Sequence, residues 1–199
     1  MKTEFEARFI DIDVGTLREK LKALNATLVY PERLQRRVNM DYPDKRLALT
    51  EGGWIRLRDE GQGEITLTYK RRLNDSVEAA EETSVSVASF DDGKAFLCAI
   101  GIAIKSEQES KRESWDLNGV QIDIDTWPWL PVSVEIEGKD AESVETAARD
   151  LGFDMKTALF GPINNYYQLV YEIPTNETVS HTPLFFNAAC PWTRKAVAV

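Results

Sequence analysis

The chain opens on strict alternation. In Glu4-Phe5-Glu6-Ala7-Arg8-Phe9 the charges fall on one side and the apolar residues on the other, the period of a strand, which predicts a first strand over 3–10. The period then lengthens. Leu17, Leu21 and Leu24 recur at helical spacing over 14–25, with Lys20 and Lys22 left to solvent and Asp11 and Asp13 as candidate N-caps. Strands are predicted again over 27–41, 54–59, 64–72 and 82–88, with Gly52-Gly53 and Gly61-Gln62-Gly63 as turns. A second helix is expected over 91–101, with Asp91-Asp92-Gly93 as its opening turn, Cys98 as a small buried residue and Gly101 as its C-cap. Strands resume at 104–116, 119–127 and 132–138, and Asn118-Gly119 is a strong hairpin signal. A helix covers 140–151 and a short one 163–171. About eight strands with helices between them predict an α+β fold on a mostly antiparallel sheet.

The faces opposite the apolar ones carry ionisable residues two apart: Glu4, Glu6 and Arg8; Arg56 and Arg58; Asp123 and Asp125; Glu135 and Glu137, with Lys70 following Thr66 and Thr68. An antiparallel sheet with one wet face would look the same. The alternate positions, however, are bulky: Phe5 and Phe9, Ile55 and Leu57, Ile122 and Ile124, Val134 and Ile136. These can pack outward against helices while the charges point into a closed barrel, which at about eight strands has room for a small ligand. Acidic pairs suit Mg²⁺ or Mn²⁺. Arginine pairs suit phosphate through forked, charge-assisted hydrogen bonds. Spacing alone leaves the wet sheet and the charged interior both open.

Composition narrows the partners. The chain has 199 residues, 43% hydrophobic and 29% charged, enough for one soluble domain. A net charge of −9 argues against a general nucleic-acid binder, though not against a local basic site for a polyanion. No apolar run is long enough to span a membrane and the N-terminus has no secretory pattern, so a cytoplasmic protein with no membrane partner is expected. Cys98 and Cys190 have no metal-ligand spacing. His181, the single histidine, lies in the aperiodic tail and is not expected to act in catalysis. Trp127-Pro128-Trp129 reads as a barrel rim or packing cluster rather than a base-stacking platform.

The ordered series of charges resembles the CYTH family, the triphosphate tunnel metalloenzymes, over roughly residues 2–172. Glu4-x-Glu6-x-Arg8 is similar to the family's Glu-x-Glu-x-Lys, with Arg for Lys. Arg37-Val38-Asn39-Met40-Asp41-Tyr42-Pro43, Arg56-x-Arg58, Leu67-x-x-Lys70, Glu82, Arg112-x-x-Trp115 and Asp123-x-Asp125, followed after nine intervening residues by Glu135-x-Glu137, continue the likeness in order. The resemblance implies a closed eight-stranded antiparallel β-barrel with peripheral helices, over 1–173, and a C-terminal extension over 174–199 that is either loosely ordered or a strap. It implies phosphate binding by Arg8, Arg37, Arg56, Arg58, Lys70 and Arg112. It implies Mg²⁺ or Mn²⁺ held by Glu4, Glu6, Glu82, Asp123, Glu135 and Glu137. No side-chain base is implied; a metal-activated water acts, with Lys70 or Arg8 as candidate assistants. The chain departs from the family in Gly161-Pro162-Ile163-Asn164-Asn165-Tyr166, where many members carry a late Lys or Arg near a Tyr. Lys156 is the candidate replacement.

Three functions follow from the resemblance. The first is a metal-dependent hydrolase of inorganic tripolyphosphate or an organic triphosphate. The second is a class IV-type adenylyl cyclase, for which no nucleobase pocket is evident in the sequence. The third is a non-catalytic polyphosphate or nucleotide binder, suggested by the missing late cation. The expected partner is a small triphosphate-containing molecule; a homodimer is left open.

Overall fold

The computed structural model describes residues 2–72 and 78–196, with side chains described over 5–72, 81–175 and 178–196. Eight strands are present: β1 (Lys2–Phe9), β2 (Thr27–Asp41), β3 (Gly53–Asp59), β4 (Ile65–Arg72), β5 (Glu78–Ser86), β6 (Ala103–Leu117), β7 (Val120–Thr126) and β8 (Ser133–Gly138). They form one antiparallel sheet in the order β1-β5-β4-β3-β2-β6-β7-β8. Strand β1 pairs with β5 through Lys2–Phe5 and with β8 through Phe5–Phe9, so the order returns on itself as a barrel.

The helices explain why the bulky residues face outward. Helix α1 (Val14–Ala23) is capped by Asp13, whose carboxylate accepts from the Thr16 N–H, and it buries Leu17 and Leu21. Asp11, the other candidate cap, instead takes a positive φ of 55° ahead of the helix. Helix α4 (Ala141–Asp150) starts at a capping box of Asp140 and Ser143 and buries Val144, Ala147 and Ala148. Both pack with Ala7, Phe9, Ile122, Ile124, Val134 and Ile136 in one core on the outside of the sheet. Helix α3 (Phe90–Ala99) covers Val38, Met40 and Leu57 with Phe90 and Leu97. Those two residues share its inner stripe, which turns Cys98 outward: the thiol expected to be buried is exposed.

Two helices escaped the periodicity. In α2 (Arg46–Glu51) no residue is buried, so it has no apolar stripe. Its cap is remote: the buried Asp41 carboxylate accepts from the N–H groups of Leu47 at 3.1 Å and Ala48 at 3.1 Å. The short helix expected over 163–171 is present as α5 (Ile163–Val170), and the tail after it forms the second unforeseen helix, α6 (Asn176–Ser180). Beyond them Leu184 is fully buried and pairs in parallel with Gln108, along the part of β6 that extends past its ladder with β7. The described part of the tail is therefore a strap added to the wall, held also by Trp192 against Trp129, Tyr167 and Tyr171. No helix among the described residues is long and apolar enough to cross a membrane.

Candidate functional site

Register brings the charged faces together. Because side chains alternate, cross-strand partners share a face. On one side of the interior Arg37 pairs with Arg58 and Asn39 with Arg56. On the other, Glu6 pairs with Glu137 and Asp123 with Glu135. Like charges are thus direct neighbours within each wall, an arrangement that costs stability unless other groups compensate. Opposite charges meet where the walls join: Lys70 with Glu82, Arg8 with Glu135, and Arg112 with Asp125.

The walls line a cavity of about 560 Å³. Every phosphate-binding candidate lines it: Arg8, Arg37, Arg56, Arg58, Lys70 and Arg112. So do four of the metal candidates, Glu6, Glu82, Glu135 and Glu137. Asp123 lies deeper, 1% exposed, under Arg112. The Glu4 side chain lies outside the described residues. A second cavity of about 250 Å³ shares Arg56, Arg58 and Glu82 with the first and continues toward Tyr30, Arg33 and the Glu60–Glu64 turn.

The acidic wall is internally neutralised. Arg112 reaches Asp123 at 2.6 Å, Asp125 at 2.6 Å and Glu135 at 3.1 Å. Arg8 bonds Glu135 and lies 3.5 Å from Asp125. Burial alone would raise the Glu135 pKa, but Arg8, Arg112 and Lys70 outweigh it and hold the carboxyl down to about 2. Asp123 goes the other way: burial exceeds the attraction of Arg112 and pushes its pKa up, and its Oδ1 is buried with no hydrogen-bond partner among the described residues. Arg112 itself is driven well up, because Asp123, Asp125 and Glu135 together overcome its burial.

The basic wall is not neutralised at Arg37. This guanidinium is buried, and among the described residues Nη2 bonds the neutral Gln35 at 3.1 Å and Ser110 at 2.5 Å. Its Cζ lies 4.5 Å from the centroid of the Trp127 ring. Burial first, then Arg58, Arg56 and Arg112, push its pKa well down, the mark of a cation in need of an anion. Arg58 is held by Glu60, which also accepts from Gln35 at 2.8 Å and Thr66 at 3.1 Å.

Sequence reasoning missed several lining residues. Glu60 sits in a turn, outside any alternating run. Lys105, Ser106 and Gln108 also face the cavity. A signal was there: Ser106, Gln108, Ser110, Arg112 and Ser114 form a period-two polar row on β6. Lys156, the candidate replacement for the late cation, is exposed in the 3₁₀ turn Met155–Thr157 and does not line the cavity. Gly161, Pro162, Ile163 and Asn164 do line it.

The CYTH domain model matches residues 2–160. The chain belongs to the CYTH family. Solved structures share its fold. A protein from Vibrio parahaemolyticus, described as a candidate adenylate cyclase, superposes with a TM-score of 0.73 at 12% identity, covering 84% of this chain and 98% of that one. A conserved hypothetical protein from Pyrococcus furiosus gives 0.64 at 20% identity, covering 78% and 94%. A Hippeastrum protein, described as a candidate adenylyl cyclase with a dominant triphosphatase activity, gives 0.57 at 15% identity, covering 80% and 90%. No curated protein matches the chain. CYTH membership fits the charged walls just described.

Proposed function

We propose that this CYTH protein is a metal-dependent hydrolase of a triphosphate, inorganic or organic, bound in the barrel interior. One observation carries the reading. The chain as a whole has a net charge of −9, yet its large cavity is lined by eight lysines and arginines, counting Arg72 and Lys105, against four glutamates. A cavity this positive inside an acidic protein selects a compact polyanion. Arg37, Arg56, Arg58 and Lys70 would grip phosphate oxygens, and Arg8 and Arg112 would exchange carboxylate for phosphate as the ligand enters.

Mg²⁺ or Mn²⁺ is the cofactor this reading calls for. Among the described residues no three acidic, histidine or cysteine side chains are gathered for a metal. The donors nonetheless fit, because Mg²⁺ commonly takes only one or two carboxylates and completes its sphere with water and substrate phosphates. Glu6, Glu82, Glu135 and Glu137 offer those oxygens on the shared cavity. Bound there, the ion would neutralise phosphate charge and activate a water for in-line attack. The protein's own part is positioning and charge stabilisation, the main demands of phosphoryl transfer.

The test is purified protein with tripolyphosphate, thiamine triphosphate or ATP, with Mg²⁺ or Mn²⁺. Metal-dependent release of phosphate is expected. Pyrophosphate with cyclic AMP would instead make it a cyclase, and tight binding without products would make it a binder.

A further inference from the structure

We infer that Trp127, Arg37 and the start of α5 form a subsite for the terminal phosphoryl group of the ligand. The inference rests on the triphosphate reading and adds to it a residue that packing alone was expected to explain. Trp127 is 4% exposed, lines the large cavity and belongs to the core made with Tyr167 and the tail. Its indole Nε1–H can only donate, and it has no acceptor among the described residues. Buried donors normally find partners. The neighbouring Trp129 does, donating to the Ala188 carbonyl at 2.9 Å.

Beside Trp127 stands a second incomplete donor. Arg37 lies over the ring, and its Nε is also buried with no acceptor among the described residues. The third part is α5. It begins at the cavity wall with Gly161, Pro162 and Ile163, and Ile163 packs in the same cluster as Trp127. The cap position is Pro162, which offers no side-chain acceptor to the first turn. The Pro162 carbonyl accepts from the Asn165 N–H at 2.9 Å, and the positive end of the helix favours an anion beside it. Two buried donors, Trp127 Nε1 and Arg37 Nε, therefore lie side by side on a stretch of wall that also carries the start of α5. A terminal phosphoryl has several unshared oxygens and the most charge of any group in a triphosphate, so it can accept from both and lie against the positive end of α5. The wall past residue 160 lies beyond the family match, so α5 takes up with a helix end the place where the late cation is missing.

The test is ¹⁵N NMR of the full-length protein, whose five tryptophans give five indole signals, assigned sequentially. Tripolyphosphate and ATP are titrated in parallel, with affinities from calorimetry. The Trp127 indole signal should shift and saturate with binding. A shift with both ligands supports a subsite for any terminal phosphoryl; a shift with tripolyphosphate alone supports one for free polyphosphate ends. Trp127→Phe keeps an aromatic face for Arg37 but deletes the donor, and should weaken binding about tenfold, the scale of one hydrogen bond to a charged acceptor. Trp129→Phe should leave affinity unchanged. Saturable binding with an unmoved Trp127 signal, or undiminished affinity in Trp127→Phe, overturns the subsite and leaves the triphosphate reading standing. Failure of both ligands to bind the wild type overturns both.

Discussion

Replacing Arg112 with Met tests whether the acidic wall is held together by its own cations. The substitution keeps much of the side-chain volume and removes the charge. Each of the three contacts, at 2.6, 2.6 and 3.1 Å, is worth about 5–6 kcal/mol at an effective dielectric of about 20. Desolvating the ions takes back several kcal/mol each, so the intact cluster adds little net stability. Removing one partner is different, because Asp123, Asp125 and Glu135 stay buried and lose their shared cation, with Arg8 left near Asp125 and Glu135 and Lys70 acting on Glu135. Stranding buried charge in this way costs about 3–5 kcal/mol. For a chain of this length that is a fall in melting temperature of about 10 °C. Urea unfolding near neutral pH gives the loss directly, provided the m-value is unchanged. Excess Mn²⁺ without any phosphate should restore more stability to Arg112→Met than it adds to the wild type, by supplying the missing positive charge. A loss under about 1 kcal/mol, or no differential effect of Mn²⁺, would refute the reasoning.

Other consequences can be checked separately. Arg56 lines both cavities, so Arg56→Ala should raise the KM for tripolyphosphate at least about tenfold, as expected for one charge-assisted contact; unchanged saturation removes it from the phosphate wall. Outside the site, Glu113 accepts two bonds from Arg18 and one from Trp115. Burial opposes them, but together these partners hold its pKa below the usual value of 4.5. A carboxyl held low in the folded state contributes stability above its unfolded pKa and loses that contribution as pH falls through the folded value. Stability should therefore fall less steeply for Glu113→Gln than for the wild type below about pH 5; parallel profiles would exclude the effect. Leu184→Ala, at a fully buried strap residue, should cost about 2–4 kcal/mol and expose the segment after it to limited proteolysis; an unchanged digestion pattern would show that the strap does not depend on this anchor.

Much of this architecture was readable because the barrel has two unlike environments. Phe9, Ile122 and Ile136 face helices while Arg8, Asp123 and Glu135 face the interior, so alternation survives although both faces are covered. What could not be read was set by partners distant in sequence. Helix α2 depends on Asp41, a cap lying several residues before the helix, where no N-cap rule looks. Glu60 matters only because the chain turns at Gly61, with a φ of +76° and a Cβ position 2.1 Å from the Leu34 carbonyl oxygen. That turn sets the buried carboxylate against Gln35 and Arg58. The strap pairs Leu184 with Gln108, a contact that no local pattern encodes.

The register also separates stability from function in a way that composition cannot. Cross-strand neighbours chosen for stability would alternate in sign, yet Arg37 faces Arg58, and Asp123 faces Glu135. The acidic neighbours recover part of that cost because Arg112 and Arg8 cross over to them. Arg37 recovers less, having among the described residues neutral acceptors and an aromatic face. The two walls are therefore unequal as they stand: carboxylates already carry cations, whereas the wall around Arg37 has positive charge in excess. An incoming polyanion should meet its strongest attraction on the Arg37 side, before Arg8 and Arg112 have left the carboxylates. Calorimetry without metal tests that order. Tripolyphosphate should bind with measurable affinity, and Arg37→Met should weaken it more than Arg8→Met. The reverse ranking would mean that the carboxylate-bound arginines release first and that the surplus at Arg37 is not what draws the ligand in.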